Sequence, residues 1–248
     1  MKGKIALVTG GMGGIGTSIC QYLAKENALV IATYHHRENR DAALAWQTAQ
    51  KNLGYDIQTC HVDVCDFSSC TDMVVSLEKI YGRIDILVNN AGITRDIPFH
   101  KMEVSQWNDV LRTNLDSVFN VTRNVINGMI KNNYGRIINI SSINAQKGQY
   151  GQTNYTAAKA GMHGFTKSIA QEVAKNGITV NTISPGYIET NMVMSLSTSI
   201  LNKIIEQIPV KRLGQPEEIA RAVTFLAAEK SSFITGSNLV INGGQYLL

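Results

Sequence analysis

The chain has 248 residues, 44% of them hydrophobic and 17% charged, enough to bury one large core or two small ones. Its 23 Lys and Arg against 19 Asp and Glu leave a formal charge of +4, scattered without the basic run that marks a nucleic-acid footprint, so a small anionic ligand fits better than a polyanion. No apolar run approaches the ~18–20 residues that span a bilayer, and Met1-Lys2-Gly3-Lys4 leads straight into a strand-like segment rather than a signal peptide; the expectation is a cytoplasmic enzyme that meets neither membrane nor nucleic acid.

Lys4 to Thr9 (KIALVT) reads as a short buried strand. It runs into Gly10-Gly11-Met12-Gly13-Gly14-Ile15-Gly16, and Thr17 to Asn27 follows with the spacing of an amphipathic helix. Strand, glycine turn and helix, in that order, are the setting of a dinucleotide-binding loop. Glycines there let the backbone approach a pyrophosphate, which the free N–H groups and dipole of the helix N-terminus attract. The next strand, 28–34, ends in Thr33-Tyr34-His35-His36-Arg37-Glu38-Asn39-Arg40. An acidic residue at that tip favours a free ribose 2′-hydroxyl; here Glu38 is flanked by Arg37 and Arg40, which suit a 2′-phosphate and so NADP(H). The same arginines also read as solvated charges at a loop and helix start.

A helix is expected over 41–53, a strand over 56–62 and a helix over 66–81. Asp63 is placed either to accept from an adenine amino group or to cap the following helix. The cysteines are Cys20, Cys60, Cys65 and Cys70. Cys60 and His61 are adjacent on a strand and point to opposite faces, and no C-x-x-C pair is present, so reduced structural thiols are expected rather than a metal site. Arg83 to Asn89 reads as a buried strand leading to Asn89-Asn90-Ala91-Gly92, small residues past which a cofactor can lie, with an asparagine able to tie neighbouring strands. One long helix is expected over 105–131. Asn114 lies inside it without its usual capping role and must find a backbone carbonyl or a water.

Ile137 to Ser142 alternates like a buried strand with its serine tip at a cleft, and 154–174 has helical spacing. Tyr155 and Lys159, four apart, then share a helix face. Serine, tyrosine and lysine together can transfer a proton. A sixth strand over 178–184 leads into Pro185-Gly186-Tyr187-Ile188-Glu189-Thr190. The segment 192–209, rich in Met, Leu and Ile, reads either as a mobile cover over a pocket or as plain helix packing. A helix over 215–230 and a strand over 237–242 complete an α/β alternation with no linker, so one doubly wound domain is expected across 1–248, with the cover near 188–212.

Thr9-Gly10-x-x-x-Gly14-x-Gly16, Asn89-Asn90-Ala91-Gly92, Asn114, Ser142, Tyr155-x-x-x-Lys159 and Pro185-Gly186 resemble the short-chain dehydrogenase/reductase pattern in order and spacing, over essentially the whole chain. The resemblance implies a three-layer Rossmann fold with a seven-stranded parallel sheet, and a homotetramer. It implies Asn114, Ser142, Tyr155 and Lys159 as the catalytic set. Cofactor contacts are implied from Gly10, Met12, Gly13, Gly14, Ile15, Gly16, Arg40, Asp63, Val64, Asn90, Ala91, Gly92, Tyr155, Lys159, Pro185, Gly186, Ile188 and Thr190. Substrate contacts are implied from Asp96, Ser142, Gln149, Tyr150, Gln152 and Tyr187, and no metal.

Within the family, 9–17, 89–96, 146–155, 184–188 and 208–214 are similar to reductases of 3-oxoacyl thioesters that serve polyhydroxyalkanoate synthesis. That similarity implies NADPH-dependent reduction of acetoacetyl-CoA to 3-hydroxybutyryl-CoA. A 3-oxoacyl group on acyl-carrier protein is the alternative within the class, and a non-catalytic nucleotide sensor the alternative outside it. In the enzyme reading Tyr155 is the general acid. A cation ~4 Å from its phenol is worth about 3 pKa units at an effective dielectric of ~20, so Lys159, together with the positive nicotinamide ring formed after transfer, is expected to bring Tyr155 near neutrality.

Overall fold

Four- to eight-residue runs, the central ones rich in Ile, Val and Leu and buried on both faces, assemble into one parallel sheet. Its strands are β1 (Ile5–Val8), β2 (Leu29–Tyr34), β3 (Ile57–His61), β4 (Ile86–Asn89), β5 (Gly135–Ile140), β6 (Ile178–Pro185) and β7 (Asn238–Ile241). A computed structural model describes residues 1–35 and 40–247. The spatial order is β3-β2-β1-β4-β5-β6-β7, every neighbouring pair parallel. Side chains alternate between the faces, as a period of two requires. Leu7, Leu87, Ile137 and Val180 enter one apolar cluster, while Ala6, Val8, Ile86, Val88 and Ile138 enter the other.

Helices cover both faces, giving the three layers of a Rossmann α/β fold. They are α1 (Gly14–Lys25), α2 (Arg40–Asn52), α3 (Phe67–Tyr81), α4 (Val104–Leu111), α5 (Ser117–Lys131), α6 (Asn144–Lys147), α7 (Thr153–Val173), α8 (Asn191–Met194), α9 (Thr198–Gln207) and α10 (Pro216–Ala227). Met73, Val74 and Leu77 of α3 and Val121, Val125 and Met129 of α5 fill the first cluster. Ile19 and Leu23 of α1 and Ile219, Val223 and Leu226 of α10 fill the second.

Three local expectations change. The helix expected over 105–131 is split by a π-helical turn, Arg112–Asp116, between α4 and α5. The helix after β3 is capped by Asp66, which accepts from the Ser68 and Ser69 N–H groups at 3.0 and 3.3 Å, not by Asp63. Arg83 precedes the fourth strand and pairs at 3.0 Å with the buried Asp85, whose carboxylate also takes the Ile5 N–H.

Beneath the strand tips runs a buried polar ladder. Asn89 Nδ2 donates to Thr122 Oγ1 at 3.1 Å and to Asn139 Oδ1 at 2.8 Å, and Asn139 Nδ2 donates to Thr166 Oγ1 at 2.8 Å. Thr182 Oγ1 then donates to Thr166 Oγ1 at 2.8 Å. The ladder joins β4, β5 and β6 to α5 and α7, which fixes the edges of the cleft above it. All four cysteines are free thiols. Among the described residues no group of three His, Cys, Asp or Glu is placed to hold a metal, and no helix is long and apolar enough to cross a membrane.

Candidate active site

Chain order reverses between β1 and β4, where their diverging loops open a crevice at the carboxyl ends of the strands. A cleft of about 490 Å³ lies there, walled by the glycine loop, the 90–94 turn, the tips of β5 and β6, and the start of α7.

The glycine-loop wall is bare backbone. Gly10 takes φ +60°, and a Cβ on it would stand 3.1 Å from the Ala91 Cα; a Cβ on Gly16 would collide with the Gly10 carbonyl. Gly13 precedes α1 without any side-chain cap, so the N–H groups of the first turn remain available beside the cleft. Thr9 Oγ1 accepts from the Asn90 and Ala91 N–H groups at 2.9 and 3.0 Å, and Asn90 Nδ2 donates to the Thr9 and Gly10 carbonyls. A cradle that a Cβ on Gly10 or Gly16 would crowd, at an uncapped helix N-terminus, fits a pyrophosphate.

Ser142 lies two residues past β5 and is 9% exposed. Its Oγ accepts the Asn144 N–H at 3.1 Å, which leaves the hydroxyl hydrogen available to another partner. Tyr155 and Lys159 open onto the same cleft from α7, one turn apart. Ser141 Oγ donates to the Lys159 carbonyl at 2.9 Å, tying that turn to the β5 tip, and His163 Nε2 lies 3.0 Å from the same hydroxyl. Asn114, fully buried in the π-helical turn, donates from Nδ2 to the Ile93 and Val110 carbonyls at 2.9 Å each. Both partners only accept, so Oδ1 must face the other way, where it meets no partner.

The tuning expected of Tyr155 involves Lys159 and an oxidised cofactor together; the protein alone has a different balance. Burial pushes the Tyr155 phenol up to about 12, with the Ser142 hydroxyl pulling down and Asp96 pushing up. Burial lowers Lys159 to about 7. The lysine Nζ bonds the Ile140 carbonyl at 2.7 Å and stands 5.7 Å from the centre of the Tyr155 ring. In the protein alone desolvation outweighs the attraction, because each group loses water before a counter-charge replaces it.

The cleft also gathers Gly10, Gly13, Gly14, Ile15, Gly16, Asn90, Ala91, Gly92, Gln152, Pro185, Gly186, Tyr187, Ile188 and Thr190. Seven other expected positions do not line it. Met12 packs into the apolar cluster under α1. Val64 is buried in the other cluster, its carbonyl taking Asn120 Nδ2. Asp63 folds back onto the Cys65 N–H at 2.9 Å and lies 3.7 Å from His35 Nδ1. Arg40 is exposed at the start of α2, and Arg37 and Glu38 lie outside the described residues. Gln149 accepts from Lys147 Nζ at 3.0 Å, and Tyr150 is 82% exposed. Asp96 is exposed but reaches the cleft through Gln152, whose Nε2 donates to it at 2.8 Å.

Sequence reasoning missed Thr9, whose hydroxyl holds the 90–91 turn, and Asn144 beside Ser142. Thr9 stood inside the quoted motif, where its hydroxyl was a signal; nothing in the pattern around Asn144 marked it.

The segment after β6 is pinned at both ends. Gly214 N donates to the Tyr187 carbonyl at 2.9 Å, and Glu189 N donates to the Gly214 carbonyl at 2.8 Å. Between them α8 and α9 form, with no buried residue on α9, while Ile188, Ile208 and Leu213 anchor into the core. Arg212 forks onto Glu218 at 2.8 and 2.9 Å, which closes the loop onto α10.

The glycine cradle and the Ser142, Tyr155 and Lys159 side chains line a single cleft. The chain belongs to the short-chain dehydrogenase/reductase family; the family model described as enoyl-(acyl carrier protein) reductase matches residues 10–245. It is 54% identical over 244 residues to an acetoacetyl-CoA reductase of Allochromatium vinosum, covering 98% of this chain and 99% of that one. It is 51% identical over 247 residues to an acetoacetyl-CoA reductase of Cupriavidus necator, both chains covered in full. A 3-oxoacyl-[acyl-carrier-protein] reductase of Vibrio cholerae is 43% identical over 248 residues, covering 100% of this chain and 99% of that one.

Proposed function

We propose that this protein reduces acetoacetyl-CoA to 3-hydroxybutyryl-CoA with NADPH, as a cytoplasmic homotetramer. The observation that carries the reading is the meeting of Asn114, Ser142, Tyr155 and Lys159 at the rim of the nucleotide cradle. The full-length likeness to two proteins named acetoacetyl-CoA reductase supports the substrate. The Vibrio cholerae relative keeps a second substrate in play, the 3-oxoacyl group on acyl-carrier protein. A non-catalytic sensor would have no use for the complete set of four.

Gly10, Gly13 to Gly16, Asn90 to Gly92 and Pro185 to Thr190 would hold the cofactor, and Arg40 the 2′-phosphate. When bound, the reduced nicotinamide supplies the hydride that the thioester's C3 carbonyl carbon receives. Ser142 directs its hydroxyl hydrogen to the C3 oxygen and stabilises the charge that builds there. Tyr155, held in its protonated form by burial, gives that oxygen its proton. Lys159 orients the cofactor's ribose and, carrying charge, favours the phenolate left behind. Asn114 Oδ1 holds a water through which Tyr155 regains its proton.

Steady-state rates with acetoacetyl-CoA and with acetoacetyl-carrier protein, each with NADPH and NADH, test the reading. The CoA thioester with NADPH is expected to have the highest kcat/KM, and Arg40→Ala to weaken NADPH about tenfold with little effect on NADH. Reduction of a sugar or steroid with neither thioester turned over would overturn the assignment.

A further inference from the structure

Asn144 opens α6 one residue after Ile143 and is 7% exposed. Its Nδ2 donates to Gln152 Oε1 at 2.8 Å, and Gln152 Nε2 donates to Asp96 Oδ2 at 2.8 Å. The order of donors and acceptors is fixed from the outer end. A carboxylate only accepts, so Gln152 must turn its amide nitrogen to Asp96 and its oxygen to Asn144; Asn144 must then turn its own nitrogen to Gln152. That leaves Asn144 Oδ1 as a buried acceptor with no partner, in a residue that lines the cleft. An amide carbonyl in that position carries a desolvation cost until a donor reaches it.

The line Asp96, Gln152, Asn144 runs from an exposed position inward to the residue whose N–H holds Ser142 Oγ. A substrate arm whose reacting carbonyl meets Ser142 and whose tail leaves by the mouth follows that line. A 3-oxoacyl thioester itself offers only acceptors: the 3-oxo oxygen, the thioester oxygen and the sulfur. The first donor along a pantetheine arm is the amide N–H two methylenes beyond the sulfur.

We infer that Asn144 is a substrate-binding residue whose Oδ1 accepts this pantetheine amide N–H, aimed by the Asp96–Gln152–Asn144 chain. The inference rests on the thioester reading above and adds to it the group recognised on the arm. It applies alike to coenzyme A and to a carrier protein, which share that amide. Asn144 therefore selects pantetheine thioesters against simple ones and does not separate the two carriers.

The test is a cycle of two substrates and two variants. Acetoacetyl-N-acetylcysteamine carries the amide; an S-alkyl acetoacetyl thioester of matched length lacks it. Wild type is expected to favour the first about tenfold in kcat/KM, the worth of one well-made hydrogen bond, through KM rather than kcat. Asn144→Ala and the volume-conserving Asn144→Leu are expected to erase that preference while changing kcat/KM for the alkyl thioester less than about threefold. A wild type without the preference, or variants that keep it or lose both substrates equally, overturns the inference and leaves the thioester assignment standing. A wild type that reduces neither thioester, nor acetoacetyl-CoA, overturns both.

Discussion

The Lys159 ammonium reaches past the Tyr155 ring, 5.7 Å from its centre, to the Ile140 carbonyl at 2.7 Å. The two groups share a cleft without making an ion pair, and burial drives them in opposite directions, the phenol up to about 12 and the amine down to about 7. Each is therefore biased toward its neutral form until a charged or hydrogen-bonding ligand arrives.

Tyr155 should stay un-ionised in the cofactor-free protein well past the ordinary phenol range, and oxidised cofactor should bring one phenol into titration below about pH 9. Ultraviolet difference titration of wild type and Tyr155→Phe measures this. The variant should lack that phenol and lose about 10²–10⁴-fold in kcat.

Lys159 holds its proton up to its ordinary 10.5 when unfolded but only to about 7 when folded. Between those values the unfolded chain binds more protons, so stability rises with pH; below about pH 7 the cost of burying the charge is present in full. Lys159→Met should thus melt higher than wild type at about pH 6, with the gap closing toward alkaline pH, while turnover is lost. Paired melting curves across that window check it, and a variant less stable at acid pH would refute it.

Gly92→Ala would place a Cβ 2.5 Å from Asn114 Oδ1. Asn114 cannot retreat without leaving the Ile93 or Val110 carbonyl. The expected result is a kcat lower by about 10²-fold with the fold retained, because the displacement falls on one positioned side chain. Kinetics beside circular dichroism would show the separation.

Glu218 is held down to about 2 by Arg212 and by the Gln215 N–H, against an ordinary 4.5. Its contribution is complete above that ordinary value and disappears as pH falls toward 2. Glu218→Gln should lower the melting temperature at neutral pH, loosen the segment held by the Arg212–Glu218 pair, and converge on wild type in acid. Limited proteolysis within 191–212 reads the loosening.

Much of the fold was legible because the sheet is buried on both faces. Strands such as KIALVT and IINI announce themselves as apolar runs, and their spacing leaves room only for crossover helices. The glycine loop and the Tyr155–Lys159 pair were equally visible, since fixed spacing on one strand or helix carries into space. Three things were not. The π-helical turn at 112–116 inserts a residue without any propensity signal. The protonation of Tyr155 depends on how much water the folded cleft admits. Asn144 joins Gln152 and Ser142 through bonds to residues 8 and 2 positions away, a relationship only the turn of the chain after β5 creates.

The widened turn around Asn114 has a consequence for how the chain tolerates change. One surplus residue rotates everything downstream by about 100° about the helix axis. Shortening that stretch by a single residue would restore an unbroken cylinder, a gain for the backbone taken alone. The same edit would swing the asparagine amide away from the Ile93 carbonyl, so the irregular coil is what holds that side chain at the crevice.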